Sequence, residues 1–296
     1  MKIAAYTYQN QNLVGLVSAD GLSVESFAYP ALEAERGLLA VIDDQQAGKP
    51  LPARLAAVPM SAVTLRAPVP LPRRNIFCVG KNYFEHAMEF GTSGFDSSTG
   101  KAGDEIPKDP IIFTKVPESV IADREAIKIP YGVSEAIDYE AELTVIIGKG
   151  GKGITEADAM NHVWGYTIVN DVTARDWQQR HKQWHLGKSF DTFCPMGPVA
   201  VSAGTAADEC NGEDTQMKLW VNGELRQNVG TKSLIFNIPK LISVISQGIT
   251  LYPGDLIATG TPVGVGLGFK PPKYLKAGDV VRIEIDGIGI LENTLI

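Results

Sequence analysis

The run AIDYEAELTVIIG places Glu140 and Glu142 two residues apart in a strand-like segment, so both side chains project from one face. Two carboxylates on one face repel unless a cation sits between them. A further acid, Asp171, ends the apolar run YTIVND, where a chain reversal brings it close. Three carboxylates that leave positions open for water suit a hard divalent ion, Mg2+ first and Mn2+ or Ca2+ next. Asp138 lies on the same face and can stand in for one ligand. A solvated strand face capped by a turn aspartate accounts for the same spacing without any metal.

A second pair lies in GKNYFEHAMEFG, where His86 and Glu89 are three residues apart. On a helix these positions are neighbours, so the carboxylate orients the imidazole and stabilises its protonated form. A histidine backed in this way is a general base able to take a proton from water. A surface histidine beside an acid by chance fits the spacing as well. Three rival patterns fail. HKQWH sets His181 and His185 at i and i+4, but Lys182 stands where a zinc metalloprotease needs a glutamate base. GKGGKGIT has no Ser or Thr directly after a Gly-Lys pair, so it is no phosphate loop. GTPVGVGLGF carries Gly264, Gly266 and Gly268, not the dinucleotide spacing, and reads as a turn that lets backbone approach a site. Cys194 has no neighbouring base and reads as a buried thiol.

The elements that must position these residues are mostly strands. NIFCVG, PIIFTK, EAELTVIIG, VWGYTIVND, MKLWVNGELRQ, DLIATG and DVVRIEID are short runs rich in β-branched and aromatic residues. Asn222-Gly223 between two such runs predicts a type I′ hairpin turn. ITEADAMNHVW, ARDWQQRHKQWH and NIPKLISVISQG are the helix candidates, with an Ala-rich helical stretch over Ala31 to Val41. Strands and helices do not alternate, so a mixed β-rich α+β roll or barrel is expected, not a doubly wound parallel sheet. Three prolines in APVPLPRR mark a connector, which separates a small N-terminal β-rich domain over residues 1–65 from a catalytic domain over 66–296. The polar segment from Gly91 to Lys108 has almost no apolar anchor and reads as a mobile loop, either a surface insertion or a lid over the site.

Composition narrows the function classes. The chain has 296 residues, 27 Lys plus Arg against 34 Asp plus Glu, and a formal charge of -7. That balance argues against nucleic acid or anionic lipid as partners, since both attract clustered cations. Three widely spaced cysteines fit a reducing compartment. Neither a signal-peptide pattern nor a membrane-spanning apolar stretch is apparent, so the expected location is the cytoplasm.

In order along the chain, GKNYFEHAMEFG, PIIFTKVPESV, DYEAELTVIIGKGG, YTIVNDVTARDWQ, LGKSFDTFCPMGP, VNGELRQ, PGDLIATGTPVGVG and LKAGDVVRIEIDGIG resemble the motif series of the fumarylacetoacetate hydrolase family. The resemblance runs from about Asn75 to the C-terminus. It implies Glu140, Glu142 and Asp171 as metal ligands, His86 and Glu89 as a catalytic dyad on a segment often ordered only with ligand, and Lys188 as the active-site lysine. It also implies that Arg175 and Gln178 contact the ligand, that Thr261 lies in the site, and that the protein is a homodimer. The activity it suggests is Mg2+-dependent hydrolysis of a C–C bond in a short 2,4-dioxo acid of the acylpyruvate or fumarylpyruvate type. His86 would activate the water, while the metal and Lys188 stabilise the pyruvate enolate. Oxaloacetate decarboxylation, or isomerase, hydratase or lyase chemistry on a 2-oxo acid, uses the same site. A paralogue without activity is the reading from another class. An anionic substrate sits easily with an acidic chain, because the metal, Lys188 and Arg175 supply positive charge locally.

Overall fold

The computed structural model describes residues 1–91, 106–204 and 210–296. Residues 92–105 of the expected loop therefore lie outside the described residues.

Short β-branched runs assemble into a 12-stranded sheet. Its order is Arg54–Pro59, Ser23–Phe27, Gln11–Val17, Lys2–Tyr8, Cys194–Ser202, Val163–Asn170, Ala141–Ile147, Leu256–Ala258, Ile76–Gly80 and Ile111–Lys115. Thr64–Arg66 joins beside Lys2–Tyr8, and Val120–Ile121 beside Cys194–Ser202. Most neighbours are antiparallel. Leu256–Ala258 with Ile76–Gly80, and Val120–Ile121 with Cys194–Ser202, run parallel, so the sheet is mixed as expected. Among the described residues the sheet does not close into a barrel. A separate antiparallel sheet has the order Glu224–Gly230, Gln216–Val221, Val280–Ile285, Gly289–Thr294. Its hairpin turns at Asn222 and Gly223, with φ of 51° and 80°, the left-handed pair that a type I′ turn needs.

The alternation of side chains sorts two cores. Along Ala141–Ile147, Leu143 and Val145 join a core with Met217, Leu219 and Ile283. Ile146 faces the other way and packs with Leu38, Ile42, Ile76 and Leu256. Glu142 shares the Ile146 parity, so the sheet itself buries the acid. The N-terminal strands extend the same sheet, with Ile3 paired to Ala200. The connector is packed too: Pro68 O accepts from the Leu38 amide at 2.9 Å.

Among the described residues helices are few, and three expectations change. The segment ITEADAMNHVW makes only a 3-10 turn over Ala159–His162, because Val163 and Trp164 begin the strand that pairs with the Glu142 strand. ARDWQQRHKQWH breaks into Arg175–Arg180 and His185–Lys188, with Lys182 left-handed at φ 59° between them. The Ala-rich stretch likewise splits into Ala31–Ala34 and Leu38–Gln46 around Gly37 at φ 60°. Ile238–Gly248 is helical as expected, capped by Asn237 Oδ1 accepting from the Lys240 amide at 3.0 Å. Among the described residues no helix is long and apolar enough to cross a membrane.

Candidate active site

Antiparallel pairing of Ala141–Ile147 with Val163–Asn170 sets Ala141 opposite Asn170. The Asp171 amide then donates to Glu140 O at 2.9 Å, which fixes Asp171 beside the two glutamates. Glu140, Glu142 and Asp171 are all buried, and each offers an oxygen within 4.8 Å of the others. Two side chains hold the start of this strand: Asn170 Oδ1 accepts from the Glu140 amide, and Gln227 Oε1 from the Ala141 amide, each at 3.0 Å. Asp138 does not stand in for a ligand. It accepts from Arg175 Nε at 2.8 Å and from the amides of Gly266 and Leu267 at 2.6 and 3.0 Å. Those bonds use its carboxylate to tie the glycine turn to Arg175.

Three buried cations answer the acids. Lys188 Nζ donates to Glu140 Oε2 at 2.7 Å and Asp171 Oδ2 at 2.8 Å. Lys115 Nζ donates to Asp171 Oδ1 at 2.7 Å, to Val172 O at 3.1 Å and to Lys188 O. Arg175 Nη2 lies 2.7 Å from Glu140 Oε1, an ion pair without hydrogen-bond alignment. Burial opposes the charge on Lys188, but Asp171 and Glu140 outweigh it and hold its pKa above the ordinary value. Burial also raises Glu140, yet Lys188 and Arg175 overcome that and keep it below the usual range. Glu142 differs. Burial, then Asp171 and Glu140, push its carboxyl well above the usual range, and its amide partner is Gly260 N at 2.9 Å. A buried carboxylate raised by like charges, in an all-oxygen set of three, fits a hard divalent cation.

The strand Ile76–Gly80 leads into the helix Phe84–Gly91, which buries His86, Ala87 and Phe90. His86 Nδ1 lies 3.3 Å from Glu89 Oε2, which leaves Nε2 as the nitrogen for chemistry. Glu89 accepts in turn from the Gly264 amide at 3.3 Å. A side chain at Gly268 would overlap Glu89 Oε1, so the glycine turn comes as close to the dyad as its sequence allows.

Lys81, His86, Glu140, Arg175, Gln178, Lys188 and Thr261 line one cavity, walled by Phe90, Phe113 and Trp184. Glu142, Asp171 and Glu89 are not part of that lining. Arg175 Nη1 donates to Gln178 Oε1 at 3.1 Å, while Thr261 Oγ1 accepts from Gln227 Nε2 at 2.9 Å. Cys194 and the other two thiols are buried and free. His181 and His185 lie outside this lining. Sequence reasoning missed Lys115, Gln227 and Lys81. A lysine closing an apolar strand before Val-Pro, as in PIIFTKVP, is the one available signal for Lys115. The arrangement can hold a cation, stabilise negative charge beside it, and move a proton at His86.

Residues 75–296 match the family model described as fumarylacetoacetate (FAA) hydrolase C-terminal. The chain is 49% identical over 236 residues to the oxaloacetate tautomerase YisK of Bacillus subtilis, covering 80% of this chain and 74% of that one. It is 43% identical over 252 residues to a mitochondrial oxaloacetate tautomerase of Homo sapiens, covering 84% and 75%. The solved structure of a fumarylacetoacetate hydrolase from the psychrophile Exiguobacterium antarcticum matches with a TM-score of 0.82 at 39% identity, covering 100% of this chain and 99% of that one.

Proposed function

The chain belongs to the fumarylacetoacetate hydrolase family, and from that premise we propose that it is a divalent-metal-dependent tautomerase of a short 2-oxo diacid of the oxaloacetate type. The observation that carries this reading is the meeting of His86, backed by Glu89, with Lys188, backed by Glu140 and Asp171, in one small cavity. The lining is polar and basic, with His86, Arg175 and Lys188 among its side chains, which favours a small acid as the substrate. Relatives named oxaloacetate tautomerase favour isomerisation over the hydrolysis expected from the sequence.

Glu140, Glu142 and Asp171 would hold the ion, Mg2+ in this proposal, which when bound supplies Lewis acidity toward the 2-oxo oxygen. His86 Nε2 takes a proton from C3 of the keto form. The C–H electron pair becomes the C2–C3 π bond, and the carbonyl pair moves to O2. Lys188 and Arg175 stabilise the charge that gathers there. Return of the proton to O2 completes the enol, and the reverse sequence regenerates the ketone, so nothing is gained or lost. Gln178 and Thr261 orient the carboxylate end. Phe90, Phe113 and Trp184 limit the water that would otherwise exchange the proton.

Hydrolysis of an acylpyruvate stands as a second reading, favoured by the full-length likeness to the Exiguobacterium hydrolase. Product analysis separates the two. With Mg2+ and oxaloacetate, the expected result is faster keto–enol equilibration with no added release of pyruvate or CO2. Faster cleavage of an acylpyruvate to pyruvate and an acid would overturn the tautomerase reading.

A further inference from the structure

Gln227 comes to the site from the edge strand Glu224–Gly230 of the smaller sheet, and it is buried. Three partners fill its carboxamide. Oε1 accepts from the Ala141 amide at 3.0 Å, while Nε2 donates to Pro262 O at 2.7 Å and to Thr261 Oγ1 at 2.9 Å. A backbone amide only donates and a backbone carbonyl only accepts, so Ala141 and Pro262 together fix which end of the carboxamide carries the hydrogens. The consequence falls on Thr261. Its oxygen takes a hydrogen from Gln227, which leaves its own hydroxyl proton to be given elsewhere.

Among the described residues the Thr261 hydroxyl donates no hydrogen bond, and Thr261 is buried in the lining that holds His86, Arg175 and Lys188. A buried hydroxyl that has received one bond and given none is set to meet an acceptor, and a carboxylate oxygen is the acceptor that an acid brings. The same carboxamide reaches the acid cluster. Ala141 stands between Glu140 and Glu142, and the amide of Gly260, next to Thr261, donates to Glu142 Oε2 at 2.9 Å.

We infer that Gln227 is a positioning residue of the site: it presents the Thr261 hydroxyl as a hydrogen-bond donor to a carboxylate oxygen of the bound acid. This inference rests on the reading of the cavity as a 2-oxo acid site. Its probe is oxalate, an acid that carries carboxylate oxygens and undergoes no tautomerisation.

Calorimetric titration of the Mg2+-loaded protein with oxalate gives the test, through a double-mutant cycle of Gln227→Met and Thr261→Val. A hydrogen bond to a charged group is worth roughly tenfold or more, so Thr261→Val is expected to weaken oxalate by about that factor. Gln227→Met is expected to weaken it roughly three- to tenfold in the wild-type background and less than about twofold in the Thr261→Val background. A side chain that only braced the Ala141 strand would weaken both backgrounds equally. That result, or no loss with either single variant, would overturn the inference. If Gln227→Met does not fold, Gln227→Glu repeats the comparison: it keeps an acceptor for the Ala141 amide and draws the Thr261 hydroxyl back toward itself. Its added charge acts alike in both backgrounds, so equal losses there would overturn the inference as well. If the wild type equilibrates oxaloacetate tautomers and the coupling is missing, the role of Gln227 alone falls. If the coupling is found and the tautomers are not equilibrated, the tautomerase reading alone falls. Failure of the wild type to bind oxalate would overturn the inference together with the acid site it rests on.

Discussion

Lys115 meets Asp171 with both side chains fully withdrawn from water, and that geometry sets the cost of losing either partner. Lys115→Met would leave Asp171 to Lys188 alone in a low-dielectric interior. Breaking a buried pair of this kind typically costs about 3–5 kcal/mol, so chemical denaturation should register a loss of that order. Added Mg2+ should restore part of it, because the ion binds the folded state. A loss under 1 kcal/mol would mean that Asp171 does not depend on this ammonium. The contrast with Glu140 and Glu142 explains what was legible at this scale. The glutamates are visible because a strand has a period of two, so spacing alone puts them on one face. Lys115 is not, because the apolar run before it marks a strand but says nothing of which acid its ammonium meets. The partners of Lys115 lie at Asp171, Val172 and Lys188, far along the sequence.

Between elements, the turn Gly266–Gly268 is the joint of the site. Its amides hold Asp138, Asp138 holds Arg175, and its close approach at Gly268 seats Glu89 behind His86. Gly268→Ala would force Glu89 to shift and leave His86 without its orienting carboxylate. The expected result is a fall in kcat of roughly tenfold to a hundredfold with calorimetric Mg2+ affinity unchanged, since general acid–base help is worth about 10²–10⁴ and only part of it is lost. Unchanged kcat would show that the dyad tolerates the methyl group. The sequence marks this turn as a backbone approach but not what it approaches. The hairpin at Asn222-Gly223 and the helix Ile238–Gly248 were readable because local turn and capping chemistry fixes them. The segment at Ala159–His162 was misread as a helix because cross-strand pairing of Val163–Asn170 overrides its local preference.

Taken whole, the chain buries Lys115, Arg175 and Lys188 beside its acid cluster, so the net charge of -7 does not describe the local charge that an anionic substrate meets. The mixed strand-rich class followed from the pattern of short runs. The strand order did not, because pairing Lys2–Tyr8 with Cys194–Ser202 joins segments nearly 200 residues apart. The central claim is that His86 moves a proton on a 2-oxo diacid held at the acid cluster. The most direct measurement follows the ultraviolet decay of enol-oxaloacetate with Mg2+, for the wild type and for His86→Asn. The account expects the wild-type protein to accelerate the decay and His86→Asn to lose about 10² or more of that acceleration while still binding Mg2+. Equal decay with His86→Asn and wild type, or no acceleration by either, would contradict it.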